Sequence, residues 1–173
     1  MKPLIGTDLK RFLREFKRRN RPECDLAILL QSVEYPANVG SIFRLADGAG
    51  VSELLLAGIT PTPPHPTIDK ISRYKSKKVR WRYIETALAG IGQVKQQGYE
   101  VIALELTNTA VPYYRFDYSN KVCLVAGHED HGVTKSTLAA CDGSVFVPMY
   151  GTGRSHNVHA ALAIVLYHVL HVC

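Results

Sequence analysis

Apolar, strand-like runs alternate with segments of helical periodicity along most of this chain. The runs at 26–33 (LAILLQSV) and 121–127 (KVCLVAG) are typical of buried strands, and a helical pattern follows each of them. Parallel strands need a long crossover, usually a helix, between one strand and the next. The alternation therefore predicts an α/β fold with a largely parallel sheet that is covered by helices on both faces.

The length of 173 residues suits a single main domain, which we place at residues 23–173. Residues 1–22 form a basic extension in which apolar residues recur at helical spacing after Thr7, a candidate N-cap. Four prolines within residues 58–67 predict a stiff loop. The other predicted helices lie at about 38–49, 85–98, 133–141 and 155–170, and the other predicted strands at about 53–58, 79–84, 99–106 and 144–149.

Three strand-to-helix junctions carry polar side chains that a simple turn would not need. Asn38 lies in YPANVGSIFRLADGAG, Glu129 in LVAGHEDHGV, and Ser155 and Asn157 in GTGRSHNVHAALAIV. Because ligands of open α/β sheets bind beyond the carboxyl ends of the strands, these residues suggest one composite site. Each also has a structural interpretation, since Ser and Asn cap helices and Glu129 would be a first-turn acid favoured by the helix dipole.

Arg44 is the candidate cation of this composite site. It lies four residues from Gly40 and from Gly48, so the three share one stripe of the predicted helix. The flanking glycines would leave the guanidinium open to a ligand. The alternative is a buried structural arginine that is paired with Asp47 or Glu34.

The positive charge is confined to two short segments, which hold 15 of the 21 lysines and arginines. Residues 1–21 hold eight basic and two acidic residues, and residues 70–82 hold seven basic residues and no acid, so the net charge of +6 arises from +13 here and −7 elsewhere. Such clusters are typical of nucleic-acid binding, with an unevenly charged, solvated surface as the alternative. Tyr74 and Trp81 are available for base stacking, although Trp81 suits the core equally well. The predicted phosphate contacts are Lys10, Arg11, Arg14, Lys17, Arg18, Arg73, Lys75, Lys77, Lys78 and Arg80.

The four cysteines, Cys24, Cys123, Cys141 and Cys173, lack metal or redox spacing and are expected to be free thiols of a cytoplasmic protein. No apolar run approaches the roughly 18 residues of a membrane span, so we expect no membrane partner. Three H-x-x-H pairs raise a metal-dependent hydrolase as an alternative. They lack the HExxH pattern, and the histidines of the last helix lie on different faces, so we expect no metal.

The three polar segments resemble, in order, the signature motifs of SpoU/TrmH-type RNA ribose 2'-O-methyltransferases. The likeness runs from about Asp25 to Tyr167. It implies an α/β fold of the SPOUT class with a C-terminal deep trefoil knot, S-adenosylmethionine as methyl donor, and a tRNA or rRNA substrate. It also implies a homodimer whose site uses both subunits.

The resemblance also assigns roles to residues of this sequence. Asn38 and Arg44 match the first motif's Asn and catalytic Arg, Glu129 matches the second motif's Glu, and Ser155 and Asn157 match the polar pair of the third. Arg44 would be the general base, or, because guanidinium is a poor base, would stabilise the developing alkoxide. The implied cofactor pocket, made mostly of backbone, consists of Leu104, Gly127, Val147, Met149 and His156.

Three histidines depart from the family pattern. His128 stands where members usually carry Asn, His156 where they carry a Leu-like residue, and His159 where a small polar residue is frequent. These replacements leave a non-catalytic RNA-binding member of the same fold as an alternative.

Overall fold

The computed structural model describes residues 1–20 and 22–173 and shows a seven-stranded sheet flanked by helices. Arg21, which belongs to the basic N-terminal segment, lies outside the described residues. The strands are β1 (Asp25–Gln31), β2 (Glu53–Ala57), β3 (Trp81–Ile84), β4 (Glu100–Leu104), β5 (Val111–Pro112), β6 (Lys121–Ala126) and β7 (Gly143–Phe146). The helices are α1 (Gly6–Arg19), α2 (Pro36–Ala49), α3 (Pro66–Ser72), α4 (Ala87–Gln96), α5 (Lys135–Ala140) and α6 (Val158–Val172). Short 3-10 turns cover Lys75–Lys77 and Tyr113–Arg115.

The strand order is β3-β2-β1-β6-β4-β7-β5, and each neighbouring pair is parallel. This order confirms the predicted α/β fold with a parallel sheet. All carboxyl ends consequently lie at one edge of the sheet, where ligands of such folds bind. The strand β4 is paired with both β6 and β7, which follow it in the chain, so the chain returns twice to the same strand.

The side chains of β1 explain why helices cover both faces. Leu26, Ile28 and Leu30 belong to the core that includes residues of α2 and α6, whereas Ala27 and Leu29 belong to the core under α4. All five are at most 2% exposed. Because side chains alternate across a strand, a continuous apolar run is what a strand buried on both faces requires.

The region after β2 has more regular structure than the sequence predicts. The helix α3 begins at Pro66, inside the predicted loop, because proline suits the first helical position and the His65 ring accepts a hydrogen bond from the Thr67 N–H group at 3.2 Å. The next strand begins at Trp81 rather than Val79, and the basic residues Lys75–Lys77 before it form a 3-10 turn. The two-residue strand β5 was also not predicted.

The helix α1 makes little contact with the rest of the chain. It begins at Gly6 with Ile5 as its cap residue, so the prediction of Thr7 as N-cap is wrong. None of its residues is buried, and its apolar stripe is 38–53% exposed. The stripe consists of Leu9, Phe12, Leu13 and Phe16. Among the helices in the described part of the chain, none is long and apolar enough to cross a membrane.

The prediction of four free thiols is wrong for two of them. Cys24 and Cys173 form a disulfide whose Cα atoms are 5.7 Å apart, a usual separation for such a bond. They are 149 residues apart in sequence and meet only through the fold, so their spacing carried no signal. Cys123 is free and buried, which raises the pKa of its thiol, and Cys141 is free and half-buried.

Candidate active site

Three of the predicted polar residues meet at the carboxyl edge of the sheet. The Asn38 Nδ2 group donates a hydrogen bond to the Glu129 carboxylate at 2.7 Å, and the Asn157 Nδ2 group donates to Asn38 Oδ1 at 3.1 Å. Asn38 is 91 residues from Glu129 and 119 residues from Asn157 in sequence. The three strand-to-helix junctions therefore do converge, and we call these three residues the Asn–Glu–Asn cluster.

The cluster holds the start of α2. Because α2 begins at Pro36, Asn38 lies in its first turn, and the interpretation of Asn38 as an N-cap is wrong. The Glu129 carboxylate instead accepts hydrogen bonds from the backbone N–H groups of Glu34 at 2.9 Å and Tyr35 at 3.3 Å. Burial alone would raise the pKa of Glu129, but the hydrogen bonds from Asn38 and from backbone N–H groups outweigh burial and lower it. The carboxylate is therefore charged at neutral pH.

Asn157 holds the start of α6 in the same way. It is the N-cap residue, and its Oδ1 atom accepts a hydrogen bond from the His159 N–H group at 2.9 Å. The capping interpretation is thus correct for Asn157, yet the other end of the same amide donates to Asn38. Ser155 and His156 are exposed in the preceding loop and lie outside this network.

The loop after β6, which carries Glu129, is closed by a tight backbone approach. Gly127 is buried, and a Cβ atom there would overlap the backbone of Gly132 and Val133. The Glu105 carboxylate accepts hydrogen bonds from the Val133 N–H group at 2.9 Å and from the Leu106 N–H group at 3.0 Å. Glu105 thereby ties the end of β4 to this loop. Sequence reasoning missed Glu105, although an acid directly after an apolar strand was an available signal.

Three of the five predicted cofactor residues lie side by side. Leu104 ends β4, Gly127 directly follows β6, and Val147 directly follows β7. Because β4 is paired with both β6 and β7, the three backbones meet at the carboxyl edge of the sheet. Met149 and His156 lie on the loop between β7 and α6, and both are exposed.

Arg44 does not join the cluster within this chain. It follows Asn38 by six residues on α2, which places it about 9 Å further along the helix and roughly 120° around the axis. The hydrogen bonds of the cluster do not include Arg44, so its place in the composite site stays a prediction. The alternative of a buried ion pair is wrong, because Arg44 is exposed. Its two candidate partners lie near other groups: Asp47 is paired with Lys75 at 2.6 Å, and the Glu34 carboxylate lies 3.2 Å from His128 Nε2.

The two glycines that flank Arg44 serve helix packing. A Cβ atom at Gly40 would lie 3.0 Å from the Ile71 Cβ atom, so α3 packs directly against this position. A Cβ atom at Gly48 would lie 3.3 Å from the Tyr167 hydroxyl group of α6. Arg44 is exposed, as predicted, although α3 covers Gly40. A periodic pattern does not show which neighbouring helix covers a face.

The basic residues of the second charged segment surround the turn between α3 and β3. Lys75 is half-buried and paired with Asp47, so this predicted phosphate contact has a structural partner. Arg80 and Arg82 each approach the Glu53 carboxylate at 3.2 Å. The other predicted phosphate contacts all have exposed side chains, namely Lys10, Arg11, Arg14, Lys17, Arg18, Arg73, Lys77, Lys78 and Arg80.

The histidines do not assemble a metal centre. Within residues 1–20 and 22–173, no three His, Cys, Asp or Glu side chains are arranged to hold an ion. The rings of His128 and His131 lie 4.7 Å apart, and His128 Nδ1 accepts a hydrogen bond from the Asp130 N–H group at 3.0 Å. The H-x-x-H alternative therefore gains no ligand set from the described residues.

A parallel sheet with three strand ends and a polar cluster at one edge defines an α/β protein of the kind whose ligands bind at that edge. The comparison with protein families then gives the particular class. The chain belongs to the SpoU rRNA Methylase family, whose model matches residues 25–167. The family resemblance of the three motifs is thus confirmed.

Individual relatives agree with this family. The tRNA (guanosine(18)-2'-O)-methyltransferase of Thermus thermophilus is 32% identical over 158 residues, which cover 91% of this chain and 79% of the relative. The Escherichia coli (strain K12) protein of the same name is 30% identical over 157 residues, with coverage of 91% and 68%. The crystal structure of the A. aeolicus TrmH/SpoU tRNA modifying enzyme superposes with a TM-score of 0.79 at 25% identity, covering 95% of this chain and 83% of that chain. AviRb from Streptomyces viridochromogenes, at 22% identity and a TM-score of 0.79, shares the fold; this chain covers 64% of it.

Proposed function

We propose that this protein is an S-adenosylmethionine-dependent methyltransferase that acts on a ribose 2'-hydroxyl group of tRNA or rRNA. The observation that carries the proposal is the Asn–Glu–Asn cluster, because its members come from all three family motifs and meet at the ligand-binding edge of the sheet. Relatives named as guanosine 2'-O-methyltransferases of tRNA and of 23S rRNA support this substrate class.

The residues at the strand ends fit the cofactor. When bound, S-adenosylmethionine supplies a methyl group on a positively charged sulfur, which already makes that group reactive toward an oxygen nucleophile. Leu104, Gly127 and Val147 would hold it through backbone groups, since their three strands end together at one edge. Met149 and His156 would contact it from the exposed loop between β7 and α6.

The remaining task of the protein is to align the ribose hydroxyl group and to stabilise the charge that develops on its oxygen. Arg44 would stabilise this charge, because its exposed guanidinium group carries N–H donors that can hydrogen-bond an anion. Glu129 and Asn38 would act as positioning residues, since their hydrogen bonds fix the strand-to-helix junction that the Arg44 of a second copy would approach. Ser155 and Asn157 would fix the loop at the start of α6 against the target nucleotide.

The separation of Arg44 from the cluster supports a homodimer in which each site uses both subunits. Beside Gly48, on the same side of α2 as Arg44, the α6 residue Tyr167 is 52% exposed, and Ile164 is 38% exposed. A second copy that covers this apolar face would bring its own Arg44 toward the cluster of the first chain.

A C-terminal deep trefoil knot is the finer fold that we propose. Two features support it. The strand β4 is paired on both sides with strands that follow it, and α6 packs against β6 and against the turn at Tyr113–Arg115. The final helix therefore packs against segments that precede it in the chain, which is consistent with a knotted path.

The two basic segments would bind the RNA backbone. Residues 1–22 would act as an RNA-facing extension of the domain at 23–173, because α1 buries none of its residues and keeps its cations in solvent. Arg73, Lys77 and Lys78 would extend this surface next to α2. The cytoplasmic location predicted from the sequence stays a prediction.

A subunit-mixing experiment tests the shared site. Arg44→Ala and Asn38→Ala should each be inactive in methyl transfer to tRNA. After subunit exchange, half of the dimers carry one variant of each kind and one intact site, so mixing should restore about a quarter of wild-type activity. Activity that stays absent after verified exchange would contradict a site built from two chains.

Calorimetry separates the enzyme from a non-catalytic RNA-binding member. We expect S-adenosylmethionine to bind the wild-type protein and Asn38→Ala with similar affinity, because the strand-end backbones remain in place. A wild-type protein that binds tRNA but no S-adenosylmethionine would support the binding member instead.

A further inference from the structure

A cavity of about 490 Å³ opens beside the first residue of β3. Its walls combine the apolar surface of Pro63, Val79 and Trp81 with the cations of Lys77 and Arg80. The Asp69 carboxylate also lines it and accepts a hydrogen bond from the Ser76 hydroxyl group at 2.7 Å. The volume lies within the range of about 300–1,000 Å³ that is usual for small-ligand pockets. An aromatic wall next to two cations matches a nucleotide, whose base stacks on aromatic rings and whose phosphate binds cations.

A strained turn beside the cavity presents a second aromatic side chain to solvent. Arg73 and Tyr74 both adopt the left-handed conformation, with φ of 51° and 59°, which is unfavourable for residues that carry a Cβ atom. A hydrogen bond from the Tyr74 N–H group to the Asp69 carbonyl group at 2.9 Å holds the turn. The ion pair of Lys75 with Asp47 of α2 also holds it. As a result, Tyr74 is 60% exposed, and Lys77 Nζ lies 5.3 Å from its ring centroid.

The cations of the cavity are available to a ligand. The Arg80 side chain is 80% exposed although it approaches Glu53. Because Arg82 approaches the same carboxylate at 3.2 Å, Glu53 keeps a partner when Arg80 turns to a phosphate. Lys77 is exposed and contacts the Tyr74 ring, which leaves its ammonium group in solvent.

Packing connects the cavity to the proposed catalytic helix. The Trp81 ring meets Phe43 edge-on, with ring centroids 6.2 Å apart and an interplanar angle of 89°. Phe43 directly precedes Arg44 on α2. A ligand against Trp81 would therefore lie one packed side chain away from the backbone that carries Arg44.

We propose that this cavity binds one unpaired nucleotide of the RNA substrate. Its base would lie against Trp81 and its phosphate between Lys77 and Arg80, with Tyr74 stacking on a neighbouring base. The nucleotide must be unpaired because neighbouring base pairs cover the faces of a base inside a duplex. The inference rests on the proposed function and narrows its substrate to RNA that carries an unstacked nucleotide.

Trp81 is the only tryptophan in the chain, so its fluorescence reports directly on this cavity. We expect a single-stranded RNA oligonucleotide to quench it saturably and a duplex of the same length to leave it unchanged. The double variant Lys77→Ala, Arg80→Ala should bind the single strand about ten-fold more weakly, and the slope of log affinity against log salt should fall by about 0.7 for each lost phosphate contact. Lys135→Ala, which removes an exposed lysine on α5, is the matched control and should bind like the wild type.

Equal quenching by the duplex, absence of quenching by the single strand, or undiminished affinity of the double variant would each overturn the cavity proposal. Methyl transfer to tRNA, measured on the same samples, separates this proposal from the enzymatic one. Quenching without methyl transfer would contradict the enzymatic function alone. Methyl transfer that is unchanged in the double variant, with no quenching, would contradict the nucleotide site alone.

Discussion

Replacing Glu129 with glutamine probes the Asn–Glu–Asn cluster without changing side-chain volume. The carboxylate accepts hydrogen bonds from Asn38 Nδ2 at 2.7 Å and from the N–H groups of Glu34 at 2.9 Å and Tyr35 at 3.3 Å. These donors face both carboxylate oxygens. A glutamine amide offers only one oxygen, so its NH2 group faces a donor in either orientation. The variant Glu129→Gln therefore loses at least one hydrogen bond to a charged acceptor.

At pH 7 we expect the free energy of unfolding to fall by about 1.5–3 kcal/mol, the usual range for one hydrogen bond to a charged group. Burial alone would raise the pKa of Glu129, but its hydrogen bonds lower it in the folded protein. A carboxylate with a lowered pKa stabilises the fold above its unfolded pKa of about 4.3 and loses that contribution as the pH falls through the folded pKa. The difference in the free energy of unfolding between wild type and variant should therefore have its full value at pH 7 and shrink below about pH 4.

Urea unfolding at a series of pH values measures this gap. Glu85→Gln, at an exposed glutamate just before α4, is the control and should change stability by less than about 0.5 kcal/mol. A variant as stable as the wild type at pH 7, or a gap that does not change with pH, would refute the reasoning about Glu129.

The packing of Gly40, the role of Arg44 and the basic segments each give one further prediction. Gly40→Ala should lower the free energy of unfolding by about 1–3 kcal/mol, because its Cβ atom would press on α3. Gly92→Ala, at a position on α4 with open space around it, should raise the free energy of unfolding by about 0.5–1 kcal/mol. Urea unfolding that reverses this order would contradict the packing of α2 on α3. Arg44→Lys should lower the rate of methyl transfer by about 100-fold or more at every pH, while activity that recovers as the pH rises would identify Arg44 as the general base. RNA affinity should fall steeply with salt, and a flat response in a filter-binding titration would exclude the basic segments as the RNA surface.

The sequence predicted the sheet and the cluster because both depend on strong local patterns. Continuous apolar runs such as 26–33 fix buried strands, and polar residues after such strands must lie at the carboxyl edge of a parallel sheet. Asn38, Glu129 and Asn157 were found in this way. The sequence did not predict their hydrogen-bond partners, because the paths of the loops decide which polar groups meet, and hydrophobic periodicity does not indicate those paths.

The errors concern residues whose neighbours are distant in sequence. The pattern around Gly40 does not show that α3 covers it, and α3 itself begins within a stretch in which the prolines predict a loop. Cys24 and Cys173 meet only when α6 returns to the start of β1.

The central claim is ribose methylation of RNA, and identification of the methylated nucleoside tests it most directly. Unmodified tRNA and rRNA fragments are incubated with the protein and methyl-labelled S-adenosylmethionine, digested to nucleosides and analysed by mass spectrometry. The account predicts label in a 2'-O-methylated nucleoside with wild-type protein and none with Arg44→Ala. Label on a base, or no transfer by a protein that binds both RNA and cofactor, would contradict it.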